Sequence, residues 1–162
     1  VEVLCEGAQG FGLDIDWGDY PYVTSSHCTV AGAIASGIPH TAIRDVWGVA
    51  KVYETYVGSK KFDGEEQIFE DIRELGKEYG ATTGRSRQIN WLDISLLIRS
   101  VYINGATKVV LNKADILEGL EVWRARDSDK TYELASSNDM EYLISSHIPN
   151  SHVIFSRSPS EI

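Results

Sequence analysis

Cysteine is scarce in this chain: Cys5 and Cys28 are the two thiols among 162 residues. Two thiols cannot make a disulfide framework, and their spacing matches no metal-binding pattern. A reducing cytoplasm is the expected setting. No apolar run approaches the roughly 18 residues that a membrane-spanning helix requires, and no signal-peptide pattern opens the chain. Positive charge is also short, with 15 Lys and Arg against 24 Asp and Glu, a formal net charge of −9. A phosphate backbone is held by a basic face, so this balance argues against a general nucleic-acid or acidic-membrane surface. Small phosphorylated ligands remain compatible, because they need only a few local donors. A phosphate loop is missing as well: Gly76-Lys77 sits inside a helical pattern, without the spaced upstream glycine of that motif. No internal repeat, low-complexity tract or linker appears, and residues 1–162 read as a single domain with enough chain to bury a core.

What is present alternates between strands and helices, the pattern of an α/β domain with a mainly parallel sheet and flanking helices. Strands are expected at Val1–Cys5, Val46–Tyr53, Lys108–Leu111 and His152–Phe155, and a short helix over Ala31–Gly37. Glu65–Tyr79 places Ile68, Ile72 and Leu75 at helical spacing with a charged outer face. Trp91–Ile103 repeats Leu92, Leu96, Ile98 and Val101, a more buried helix. Asp139–His147 reads as a helix that Pro149 ends. The acidic run Asp63–Glu70 suits a solvated helix start, where the helix dipole favours negative charge.

The sharpest local motif is Asn112-Lys113-Ala114-Asp115, directly after the apolar run Val109-Val110-Leu111. An aspartate at the carboxyl end of a parallel strand can accept from both N1 and the exocyclic amine of guanine. Adenine offers neither in that geometry, so an acceptor-only carboxylate rejects it by leaving polar groups unpaired. The Lys113 stem can lie along a base plane, and strand carboxyl ends are where open α/β sheets collect ligands. The plainer alternative is an Asn-Lys turn that starts a helix. A second strand, Val153-Ile154-Phe155, runs into Ser156-Arg157-Ser158, a suitable wall for the other face of a base. Gln9 and its neighbouring glycines are readable as nothing more than a tight turn. Asp14 and Asp16 look like a catalytic carboxylate pair but read better as turn-forming, backbone-bonding residues. His27 and His40 read as structural.

Three blocks in order give a more specific picture. Glu6-Gly7-Ala8-Gln9-Gly10 continues through Leu13-Asp14-Ile15-Asp16 to Tyr20-Pro21-Tyr22-Val23-Thr24-Ser25-Ser26. The second is Gly80-Ala81-Thr82-Thr83-Gly84-Arg85-Ser86-Arg87 with Trp91-Leu92-Asp93, and the third is Asn112–Asp115 with Ile116-Leu117-Glu118-Gly119-Leu120. Together they resemble the adenylosuccinate synthetase family. The resemblance implies the carboxyl-terminal part of that family's fold, which is related to the P-loop NTPases, with a guanine-binding segment at 108–120 and the amino-terminal phosphate-loop half absent. It implies a GTP-dependent ligase of purine nucleotide biosynthesis that joins IMP to L-aspartate with Mg²⁺. By that resemblance Gln9, Thr24, Val57 and Arg85 meet IMP. Ala81, Thr82, Thr83, Gly84, Arg85 and Arg87 meet aspartate, and two guanidinium forks suit a dicarboxylate. Arg87, Lys113, Ala114, Asp115, Ser156, Arg157 and Ser158 meet GTP.

The family's catalytic base, histidine and Mg²⁺ ligands lie in its amino-terminal half, so no catalytic or metal residue is assigned here, and the 162 residues alone are expected to be inactive. The complete enzyme of this family is a homodimer. Some positions depart from the family: Ser59–Gly64 replaces a Pro-flanked Phe segment, Ser86 stands where Arg is common, and Asp127–Ser151 is short. The final turn lacks the usual glycine. These departures leave open a phage-type synthetase acting on dGMP, and a non-catalytic nucleotide-binding module derived from the family.

Overall fold

A computed structural model describes residues 2–62, 64, 66–80, 84–128, 130–158 and 160. Strand β1 (Trp47–Lys51), β4 (Lys108–Asn112) and β7 (His152–Phe155) form a parallel sheet in the order β1-β4-β7. Val49 lies opposite Val110, and Val110 opposite Ile154. β4 is the central strand, and its Val109, Val110 and Leu111 are all buried, as expected for a strand covered on both faces. Strands β2 (Tyr53–Tyr56), β3 (Gln88–Asp93), β5 (Trp123–Asp127) and β6 (Lys130–Leu134) form a second sheet, ordered β2-β3-β5-β6. Within it β3 and β5 are parallel, while β2–β3 and β5–β6 are antiparallel. Three of the five strand pairs are therefore parallel, and helices flank them, as the alternating pattern implies.

Among the described residues, helix α1 (Val30–Ala35) precedes β1, and four helices connect strands: α2 (Ile68–Gly76), α3 (Ile94–Asn104), α4 (Ala114–Gly119) and α5 (Ser137–His147). The core gathers where α2 meets β3. The Phe69 and Trp91 rings pack at a tilt of 53° with centroids 4.9 Å apart, and Ile72, Ile89 and Val52 in the same core are fully buried. Each such side chain contributes about 1.5–3 kcal/mol through the apolar surface it removes from water. Asp93 caps α3 by accepting from the Leu96 amide at 2.9 Å, worth about 1 kcal/mol. Gly105 ends α3 with φ +61°, a left-handed position that a glycine takes at low cost. Ser136 and Asp139 form a reciprocal cap on α5.

The structure corrects several expected boundaries. Glu2–Cys5 forms no strand; Val3 and Leu4 are largely exposed. An apolar run becomes a strand only when a ladder takes its N–H and C=O groups, and none of the described residues does so. Val46–Tyr53 is two strands: the chain leaves the parallel sheet at Val52, whose amide still donates to Asn112 O at 3.0 Å, and enters the second sheet at Tyr53. The expected helix Trp91–Ile103 is a strand up to Asp93, and its helix starts at Ile94. The helix expected over Glu65–Tyr79 covers only Ile68–Gly76, because Lys77 is left-handed at φ 53°; Glu65 lies outside the described residues. Three further strands, β3, β5 and β6, enter at segments without an expected strand.

Candidate functional site

β4 and β7 are neighbours, so the two segments that follow them emerge side by side. Lys113 turns the chain from β4 into α4 with φ 66°, and Ser156 follows β7. The Ser156 amide donates to Leu111 O at 2.9 Å, and the Ala114 amide donates to Ser156 O at 3.3 Å. These backbone bonds fix Lys113–Asp115 against Ser156–Ser158. The buried Ser156 Oγ donates to Ser158 O at 2.9 Å, and Arg157 Nε donates to Glu118 at 2.9 Å. Asp115 is exposed on the first turn of α4, and its carboxylate makes no hydrogen bond or ion pair with the described residues. The Asn112 side-chain oxygen is buried without a partner among the described residues. An open acceptor and an unsatisfied one thus sit at the carboxyl end of the central strand.

The second group of site residues follows α2. The Gly80 amide donates to Arg85 O, and the Gly84 amide to Gly80 O, both at 2.8 Å. Gly84 has φ +65°, so the loop closes on itself at its base. Ala81, Thr82 and Thr83 lie outside the described residues. Arg85 and Val57 line one cavity of about 390 Å³, together with Tyr56, Gly58, Ser59, Ser86 and Gln88. Gln88 shapes its rim: its amide nitrogen donates to Gly58 O and Lys60 O, and its oxygen accepts from the Phe62 amide.

Arg87 leads instead to a buried carboxylate that the sequence reading passed over. Glu78 Oε2 accepts from Arg87 Nη1 at 3.1 Å and from Lys51 Nζ at 2.7 Å. Its Oε1 accepts from Lys51 Nζ at 2.8 Å and Tyr53 Oη at 2.9 Å. Burial opposes the charge on Glu78, but Lys51, Tyr53 and Arg87 outweigh it and hold the carboxyl below the ordinary glutamate value. Burial and the adjacent Glu78 push the Tyr53 hydroxyl up, so it stays a donor. One signal was available: an acidic residue just past a helix carboxyl end opposes the helix dipole, and so requires a compensating partner. Lys113 Nζ reaches the same corner, donating to Gly76 O at 2.9 Å.

Gln9 and Thr24 are carried on the segment before α1, and neither lines the cavity beside Arg85. Gln9 is exposed with φ 62°, the tight-turn conformation, and the Thr24 amide donates to Leu13 O at 2.8 Å. Lys60 ion-pairs with Asp19, linking this segment to the loop after Val57. Asp14 and Asp16 behave as turn residues. The fully buried Asp14 accepts from the amides of Asp16 and Trp17 on one oxygen, and of Cys28 on the other, at 2.9, 3.0 and 2.6 Å. Among the described residues Asp14, Asp16 and His27 have ligand atoms within 4.8 Å of one another. They do not fit Mg²⁺, which takes near-octahedral oxygen ligands, because the Asp14 oxygens are occupied by N–H groups and His27 offers nitrogen.

The family model described as adenylosuccinate synthetase matches residues 1–136. The chain belongs to the adenylosuccinate synthetase family. The adenylosuccinate synthetase of Xanthomonas campestris pv. campestris is 51% identical over 122 residues, covering 74% of this chain and 28% of that protein. That of Caenorhabditis elegans is 51% identical over 120 residues, covering 72% and 26%. The matched stretch is thus little more than a quarter of these relatives. A structure described as the fully ligated adenylosuccinate synthetase of Plasmodium falciparum superposes with a TM-score of 0.79 at 29% identity, covering 95% of this chain and 47% of that one. The succinoaminodeoxyadenylate synthetase of cyanophage S-2L, solved with dGMP and dATP, shares the fold at a TM-score of 0.55 and 23% identity, covering 87% and 49%. The family model ends short of Ser156–Ser158; β4–β7 pairing ties that segment to the matched Lys113–Asp115. No helix among the described residues is long and apolar enough to cross a membrane.

Proposed function

We propose that these residues form the guanine-, purine- and aspartate-binding part of a cytoplasmic, homodimeric adenylosuccinate synthetase, which converts IMP, L-aspartate and GTP to adenylosuccinate, GDP and phosphate. The observation that carries the reading is the open Asp115 carboxylate beside the Ser156 turn, at the carboxyl ends of adjacent parallel strands. GTP phosphorylates the purine 6-oxygen, and the aspartate amine then displaces that phosphate. In this scheme Asp115 accepts from guanine N1 and its amine, while Lys113, Ala114 and the Ser156–Ser158 turn flank the base. The guanidinium groups of Arg85 and Arg87 hold the aspartate carboxylates, with Ala81–Gly84 closing over them, and Arg87 also reaches GTP. Gln9 meets the hypoxanthine edge, Thr24 the IMP phosphate, and the Val57 main chain and Arg85 the ribose. Fixing both reactants in one orientation is itself a large part of such catalysis. Mg²⁺ in this family serves the phosphoryl transfer, and this reading assigns none of its ligands to residues of this chain.

The reading is tested with Asp115→Asn in the full-length protein. An amide places a donor against a donor on guanine, so the KM for GTP rises roughly 10- to 150-fold, the equivalent of about 1.5–3 kcal/mol. The KM values for IMP and aspartate stay near wild type. An unchanged GTP KM overturns the guanine assignment. Running the wild type with IMP and with dGMP in parallel separates the synthetase from its phage-type counterpart, and turnover of neither identifies a non-catalytic module.

A further inference from the structure

Glu78 is a buried carboxylate that the proposed chemistry leaves unused. Its side chain is 3% exposed, yet it makes four hydrogen bonds to three side chains from two directions. Lys51 and Tyr53 approach from the end of β1 and the start of β2, and Arg87 from the loop that follows Gly84. The main chain repeats the link, since the Arg87 amide donates to Glu78 O at 2.9 Å. Arg73 Nε, from α2, donates in turn to Arg87 O at 2.9 Å. Backbone and guanidinium of Arg87 are therefore held by the same short segment. Arg87 meets Glu78 through Nη1, and its side chain remains about one-third exposed.

We propose that Glu78 is a positioning residue: it holds the Arg87 guanidinium at the angle needed to receive a carboxylate of the aspartate substrate. This rests on the reading of Arg87 given above. A guanidinium on a long side chain loses several rotatable bonds of freedom when it clamps a ligand. A buried acceptor that fixes it beforehand removes that cost from binding. Lys51 and Tyr53 hold Glu78 itself in place, so the acceptor is rigid. Burial works against the Glu78 charge, but its three donors keep it ionised, as charge-assisted bonding requires.

The test uses Glu78→Gln, Glu78→Asp and Arg87→Ala in the full-length protein, each alone, and Glu78→Gln combined with Arg87→Ala. Glu78→Gln removes the charge between Lys51 and Arg87, so the two cations repel and Arg87 swings away. The KM for aspartate rises roughly 10-fold, the loss of one charge-assisted bond, while the KM for IMP stays within about twofold. Glu78→Asp keeps the charge but withdraws the carboxylate by one methylene, so it raises the aspartate KM as well. It also serves as the readout if the glutamine variant does not fold. In the Arg87→Ala background Glu78→Gln has no further effect on aspartate KM, because the group it positions is gone. A raised aspartate KM in Arg87→Ala with normal values in both Glu78 variants overturns the positioning role alone. A normal aspartate KM in Arg87→Ala overturns the assignment of Arg87, and the role of Glu78 with it. A lowered melting temperature without any change in the split between aspartate and IMP KM also overturns the proposal, since that is what a purely structural carboxylate produces.

Discussion

Replacing Asp14 with asparagine tests whether the segment before α1 is held by one carboxylate. The two Asp14 oxygens divide the work: one accepts from the amides of Asp16 and Trp17, and the other takes the Cys28 amide across fourteen residues. Asparagine keeps one oxygen for the local pair but turns an –NH₂ toward the Cys28 N–H. The loss is one charge-assisted bond, about 1.5–3 kcal/mol. That corresponds to roughly 10- to 150-fold faster exchange of the Cys28 amide, if it exchanges through opening of this loop. The pH dependence supplies a second readout. Burial alone would raise the Asp14 pKa, but the amides of Asp16, Cys28 and Trp17, helped by His27, bring it below the ordinary aspartate value. A folded pKa below the unfolded one of about 3.9 gives stability that is present above that pH and lost as the pH falls through the folded value. The stability gap between wild type and Asp14→Asn therefore narrows as the pH is lowered below about 4. Hydrogen exchange measured residue by residue, and denaturant unfolding at neutral and acidic pH, check both statements. Unaltered protection of Cys28 together with a pH-independent gap refutes the reasoning.

Two further expectations concern catalysis. Arg85→Lys and Arg87→Lys, in the full-length protein, raise the KM for aspartate or lower kcat although charge is retained, because a lysine cannot present a planar fork to a carboxylate; steady-state kinetics near wild type for both variants makes the loop structural. The 162 residues assayed by themselves with IMP, aspartate, GTP and Mg²⁺ form no adenylosuccinate, since their sequence holds no phosphate-loop pattern, and product formation by this chain alone overturns that expectation.

Where a segment's neighbours in sequence decide its conformation, the sequence was readable. Lys108–Asn112 is a short β-branched run with polar ends, and it became the central strand; His152–Phe155 was read with its observed boundaries. The adjacency of Lys113–Asp115 and Ser156–Ser158 follows from those two strands pairing. The second sheet was harder, because its signals are weak or overlaid. In β3, Ile89 and Trp91 alternate inward, but Leu92 joins the apolar run of α3 and hides the change of period. Asp93, a good helix cap, was the mark of the boundary. In β5, Arg124 and Arg126 alternate with the buried Trp123 and Ala125, a half-buried pattern, and the left-handed Ser128 lies between β5 and β6. The strand expected at Val1–Cys5 is absent over the described Glu2–Cys5 for the opposite reason, since composition alone cannot supply a partner strand.

The position of Glu78 could not have been read locally, because it depends on how one strand is divided between two sheets. Lys51 ends β1 in the parallel sheet and Tyr53 begins β2 in the other, yet the side chains of both reach Glu78. The residue between them, Val52, is fully buried and continues the bond pattern of the first sheet through its amide to Asn112 O. One carboxylate placed opposite this break joins both sheets to the loop that carries Arg87. Lys113 bonds Gly76 O two residues earlier, so the segment that follows β4 is tied to the same corner. Gly76 has to stay small there: a Cβ would lie 2.4 Å from the Tyr53 hydroxyl oxygen, well inside van der Waals contact with the group that donates to Glu78. The segments that carry Arg87 and Lys113, 26 residues apart in sequence, are thus anchored to the four residues from Gly76 to Tyr79, and a displacement of that corner moves both.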